Sequence, residues 1–271
     1  MVSYGRAMTP LTSRYRRRSF LRASAQFGAL CATGALAGVA RADLETAQAT
    51  QIDLPQLAYD GQWNPRVGSL EELGREVRLR SRVEPQQTTT VVRPSDEALF
   101  RTPFLWVAGE KALPAFDPAV IRRLRRFIDL GGLMVFDDAS GGASPGFRRS
   151  TLELAAALAP SAPMREVTPE HVLYRSFYLV DRASGRTDFG QPLLGVHDGG
   201  RLKMLFVPCD LGGAFARDLR GSYRYPCNPG GPSQREEAIR LGVNIVLYAT
   251  CTDYKSDRAH VETLEKSRRR R

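Results

Sequence analysis

Two periods of hydrophobic spacing alternate along this chain. Phe104-Leu105-Trp106-Val107-Ala108 and Leu133-Met134-Val135-Phe136 are short uninterrupted apolar runs, the pattern of strands buried on both faces. Between them Ile121, Leu124, Phe127, Ile128 and Leu130 recur at helical spacing. Asp117-Pro118 marks the start of that helix, as a cap followed by proline at the first position, and Gly131-Gly132 marks its end. Ile52 to Tyr59 and Thr88 to Arg93 read as extended, and Ser69 caps a helix running to Arg80 with Glu71 and Glu72 in its first turn. Phe147 to Leu158 is a further amphipathic helix, and Val172 to Val180 reads as extended. Pro192–Val196 and Lys203–Val207 read as two strands joined at Asp198-Gly199-Gly200. Gly212 to Pro232 reads as a long loop, and Ser233 caps a last helix through Leu247. Strands that alternate with helices predict an α/β domain with a doubly wound, mostly parallel sheet and a late antiparallel extension.

One apolar run, Ala23 to Val39, has a different setting. It follows Arg17-Arg18-Ser19-Phe20-Leu21-Arg22, a twin-arginine core in which Arg17, Arg18, Phe20 and Leu21 carry the signal. It ends at Ala40-Arg41-Ala42, where Ala40 and Ala42 give the small-x-small pattern a signal peptidase cleaves. The run is too short and too rich in Gly, Ala and Ser for a spanning helix. Residues 1–42 are therefore read as an export signal, and Asp43 as the first residue of the mature chain. The periplasm is the expected location and the twin-arginine translocase the expected partner during export. Residues 43–51 are a polar lead-in, 52–254 the domain, and 255–271 a polar, Arg-rich tail.

The export signal changes the meaning of the charge. The whole chain carries +10, but residues 1–42 hold seven Arg and no acid. The remainder has 32 basic and 29 acidic residues, and Lys266 with Arg268 to Arg271 supplies five of those cations. The charge sits at the two ends rather than on a folded face, which argues against a nucleic-acid partner. The tail suits weak contact with anionic lipid head groups. Of four Cys, Cys31 leaves with the signal; Cys209, Cys227 and Cys251 remain. In an oxidising compartment Cys209 and Cys227, which flank a Gly-rich loop, are the candidate disulfide, and Cys251 reads as a buried thiol.

The order Pro103 to Gly109, Leu124 to Asp138, Phe147-Arg148-Arg149, Tyr174 to Tyr178, Asp210-Leu211-Gly212-Gly213 and Gly242 to Tyr248 resembles the DUF4159 family over about Ile52 to Tyr254. That resemblance implies a flavodoxin-like sheet of the class I glutamine amidotransferase type. Some relatives are longer membrane proteins encoded near MoxR-type ATPases and von Willebrand A domain proteins, which implies an envelope assembly. In catalytic relatives of the larger fold a Cys stands at a sharp strand-to-helix turn. Asp137 and Asp138 stand at the corresponding place here, with no Cys, no Ser in the elbow position and no nearby His, so thiol-based amidotransfer is not implied.

Candidate chemistry gathers at strand ends, where open α/β sheets bind ligands. Asp137-Asp138 reads either as a ligand-binding carboxylate pair or as turn and cap residues, one of them paired with an Arg. Asp210 with Gly212-Gly213 allows close backbone approach to a ligand, or makes a tight turn. Gly109 and Glu110 sit at a third strand end. His197-Asp198 reads as a surface turn or a general base, His171 as structural and His260 as surface. Trp63, Tyr223 and Tyr225 make either an aromatic rim or a packed loop, and Arg122, Arg123, Arg125 and Arg126 a solvated helix face. No metal-ligand spacing, dinucleotide fingerprint or P-loop is present, so no metal and no cofactor is expected. The expectation is an exported, non-catalytic binding or scaffold protein of the envelope. The alternative is a carboxylate-dependent hydrolase of a glycan or amide.

Overall fold

A computed structural model describes residues 51–198 and 200–250. The export signal, most of the lead-in, Cys251, His260 and the Arg-rich tail lie outside the described residues.

Seven strands form one mixed sheet: β1 (Gln56–Leu57), β2 (Val91–Val92), β3 (Phe104–Gly109), β4 (Leu133–Asp138), β5 (Arg165–Glu166), β6 (Leu194–Asp198) and β7 (Arg201–Val207). Their order is β2-β1-β3-β4-β7-β6-β5. The pairs from β2 to β7 are parallel, while β6 on β7 and β5 on β6 are antiparallel. The antiparallel extension expected from the sequence is thus the β5–β6–β7 edge.

Alternation along the central strands builds two cores. Phe104, Trp106, Leu133, Val135, Leu205 and Val207 face α1 (Ser69–Arg80), α4 (Leu211–Phe215) and α5 (Gly231–Thr250). Leu105, Val107, Met134, Phe136, Met204 and Phe206 face α2 (Pro118–Asp129) and α3 (Pro145–Leu158). Neighbouring strand residues point to opposite faces, so uninterrupted apolar runs fill both cores at once. β1 connects to β2 through α1 on the first face, whereas β3 connects to β4 through α2 on the second. The direction of winding therefore reverses between β1 and β3, which makes their C-terminal ends the switch point where such sheets open a crevice.

Several boundaries differ from the sequence reading. Gly68, at φ 81°, caps α1, and Ser69 is its first residue. Ser144 caps α3 with Pro145 at the first position, so that helix begins before Phe147. The last helix starts at Gly231 rather than at Ser233. The stretch expected as strand from Val172 to Val180 is a 3-10 turn over Val172–Arg175 followed by irregular chain. Its amides go elsewhere: Asn244 on α5 accepts from Phe177 N and Tyr178 N at 3.1 and 2.8 Å and donates to Tyr178 O. A buried amide side chain on α5 here takes the place of a neighbouring strand. Among the described residues no helix is long and apolar enough to cross a membrane.

Candidate functional site

Asp137 and Asp138 end β4, directly beside Ala108 and Gly109 of β3. Both are buried and diverge to opposite faces, as adjacent strand residues must. Asp137 Oδ1 accepts from Leu211 N at 2.7 Å and its Oδ2 from Gly212 N at 2.9 Å. It thereby takes up two amides of the first turn of α4. Burial, and then the neighbouring charge of Asp210, pushes the Asp137 carboxyl up to about 8, against the pull of those two amides. Asp138 accepts from Ser140 N at 3.0 Å and from the Ser140 hydroxyl at 2.6 Å, closing the turn after β4. Burial raises its pKa as well. The Ser140 hydroxyl in turn accepts from Ser144 N.

Asp210 follows β7 and sits at φ 51°, ψ 63°, a left-handed conformation rare outside glycine. It caps α4 by accepting from Gly213 N at 3.0 Å. Two arginines converge on its fully buried carboxylate. Arg66, from the loop after β1, donates through Nε at 2.9 and 3.1 Å and through Nη2 at 2.8 Å. Arg186 donates through Nε to Asp210 Oδ2. Arg66 reaches on to Glu110 Oε1 at 2.9 Å and to Ala139 O at 2.6 Å, and its guanidinium lies 4.7 Å from the Tyr225 ring centre. One side chain from the β1 loop thus ties together the loops that leave β3, β4 and β7. It crosses the switch point where a ligand would enter.

The glycines of this corner serve that arrangement. A Cβ at Gly212 would stand 2.9 Å from Asp137 Oδ2, and one at Gly213 would overlap the Asp210 carboxylate. The close backbone approach that Gly212-Gly213 permits is to the protein's own carboxylates. A Cβ at Gly109 would lie 2.6 Å from both the Phe147 ring and the Tyr59 hydroxyl, which donates to Ala108 O at 2.8 Å.

Residues 53–250 match the family model described as a domain of unknown function, DUF4159. The chain belongs to the DUF4159 family. A search of curated proteins finds no match.

Within this DUF4159 domain the fold brings together five of the six crevice residues singled out from the sequence: Gly109, Glu110, Asp137, Asp138 and Asp210. His197 is corrected. It pairs with Leu202 near the start of β7, whereas Val207 at the other end pairs with Asp137, so roughly 16 Å of strand separates His197 from the crevice. Its ring instead packs at 5.1 Å on His171, which lies 5.7 Å from Tyr248. Among the described residues no group of three or more His, Cys, Asp or Glu is placed to hold a metal ion.

The expected Cys209–Cys227 bridge is also corrected, since both are buried free thiols. Thr187 explains why: its N donates to Cys209 O on one side, and on its other side it bridges to Asn228. A strand standing between two backbones holds them roughly 9–10 Å apart, beyond the reach of a disulfide. Burial raises the pKa of both thiols.

The sequence singles out neither Arg66 nor Arg186. It suggests that one of the Asp residues pairs with an Arg, but a contact between residues 66 and 210 leaves no mark in either local pattern.

Proposed function

We propose that this DUF4159 protein is a non-catalytic binding or scaffold protein of the bacterial cell envelope, built on an amidotransferase-like sheet. The observation that carries this reading is the use of the strand-end carboxylates. Asp137 holds the α4 amides, Asp138 holds Ser140, and Asp210 is clamped by Arg66 and Arg186. A hydrolase would need one of these carboxylates turned towards a substrate or a water. The twin-arginine pattern of residues 17–22 supports export of the folded chain to the periplasm. An envelope protein is the partner class this reading implies, with the basic tail adding weak contact with the membrane surface.

Asp138→Asn tests it. Asparagine keeps an oxygen to accept from Ser140 N and Ser140 Oγ, so the turn survives while carboxylate chemistry is lost. In a strain lacking the protein, full complementation by the Asp138→Asn form is the expected result. A folded Asp138→Asn protein that fails to complement supports the hydrolase reading instead. Fractionation of cells carrying Arg17→Lys together with Arg18→Lys checks the location. The expected outcome is retention in the cytoplasm, and periplasmic protein would contradict the twin-arginine route.

A further inference from the structure

Away from the crevice, a cleft of about 520 Å3 opens between the C-terminal end of α1 and the N-terminal end of α5. Its walls are largely apolar, formed by Ile239, Pro226, Pro232, Tyr223 and Cys227. That volume and that lining are typical of small-molecule sites, in which a few placed polar groups fix orientation. Three charged side chains reach it: Arg80, Glu236 and Arg235. Arg80 and Glu236 form a two-armed ion pair at 2.7 and 2.8 Å, and each has a further partner, Glu76 for Arg80 and Arg240 for Glu236.

Arg235 is different. It is 8 % exposed, and its hydrogen-bond partners are the Ala214 and Tyr225 carbonyls. Neutral carbonyls fix the plane of the guanidinium but do not cancel its charge. No carboxylate among the described residues forms an ion pair with it. Its guanidinium lies 3.9 Å from the centre of the Tyr223 ring, and Arg217 lies at the same distance. The attraction between a cation and an aromatic ring helps hold the Arg235 side chain in place. A charge so buried ordinarily has a partner. The N-terminal end of the 20-residue α5 lines the same cleft through Gly231 and Pro232, with no acidic residue in its first turn. Both features favour an anion there.

We propose that this cleft binds a small organic carboxylate with an apolar or aromatic body. The carboxylate pairs with Arg235 beside the start of α5, and the body lies on Ile239, Pro226 and Pro232. A single uncompensated cation matches a monoanion rather than a phosphate dianion. This inference rests on the reading of the protein as a binding protein and names the ligand class it would take.

The probes are naphthylacetate and the neutral naphthylethanol, titrated calorimetrically into the purified protein. The expected result is a Kd for the acid below about 1 mM, and a Kd for the alcohol at least about tenfold weaker. Arg235→Gln should erase the difference between acid and alcohol. Because Arg235 also ties two carbonyls, Pro232→Trp is the second variant. It fills the cleft mouth from an exposed position and should weaken both probes without touching those bonds. Equal affinity for acid and alcohol, acid binding unchanged by both variants, or no binding of the acid at about 10 mM would each overturn the proposal. None of these outcomes bears on the Asp138→Asn complementation, so the two readings fail separately.

Discussion

At the scale of the residue, the crevice carboxylates are structural members in an energetically costly setting. Asp137 is the clearest case, because burial raises its pKa to about 8 while an unfolded chain keeps an Asp near about 3.9. The folded state therefore holds this proton more tightly than the unfolded one. The stability it contributes is fully present below about 3.9 and is lost as pH rises through about 8. Urea unfolding between pH 5 and 8 should show stability falling with pH, by an amount on the order of a few kcal/mol. Asp137→Asn should flatten that slope, and an unchanged slope in the variant would assign it to another group. The carboxylates themselves were legible in the sequence, because Asp at the end of an apolar strand is a local pattern. Their partners Arg66 and Arg186 were not, because charge pairing across the fold depends on which loops the topology brings together.

At the scale of the element, local signals placed most helices and strands and failed where tertiary contacts set the backbone. The run from Pro103 to Leu158 reads almost directly from sequence, since the apolar strands, Asp117-Pro118 and Gly131-Gly132 all act through neighbours in the chain. Phe177 and Tyr178 misled for the opposite reason. Aromatic residues favour strands, but here their amides end on Asn244, which lies 67 and 66 positions away. Asn244→Leu removes that acceptor and donor while keeping bulk, leaving buried backbone groups unpaired. The expected cost is about 2–3 kcal/mol of stability, with faster hydrogen exchange at Phe177 and Tyr178 than elsewhere. A uniform change in exchange across the molecule would mean that Asn244 serves the whole core and not this segment. The short α4 escaped the sequence reading too, because its Gly212-Gly213 start reads as a loop until the carboxylates that fill its first turn are known.

At the scale of the whole molecule, the doubly wound sheet places four loops at one end and a single cationic side chain crosses them. Arg66 joins the loops that follow β1, β3, β4 and β7, so the switch point is closed by the protein's own ion pairs. The sheet class and its antiparallel edge followed from the alternation of periods along the chain. The closure of the crevice did not, because it depends on how far the β1 loop reaches. The ligand site proposed above lies away from these strand ends, in the cleft between α1 and α5 where Arg235 forms no ion pair with a described carboxylate.

A double-mutant cycle on Arg66 and Asp210 tests this closure most directly. Arg66→Met, Asp210→Asn and the combined variant would be compared with the unsubstituted protein by urea unfolding. If the buried pair holds the crevice shut, each single change should cost about 3–5 kcal/mol and the coupling energy should be at least about 2 kcal/mol. A coupling below about 0.5 kcal/mol would show that the two residues act independently. The Arg66–Asp210 pair would then not be what holds the crevice shut.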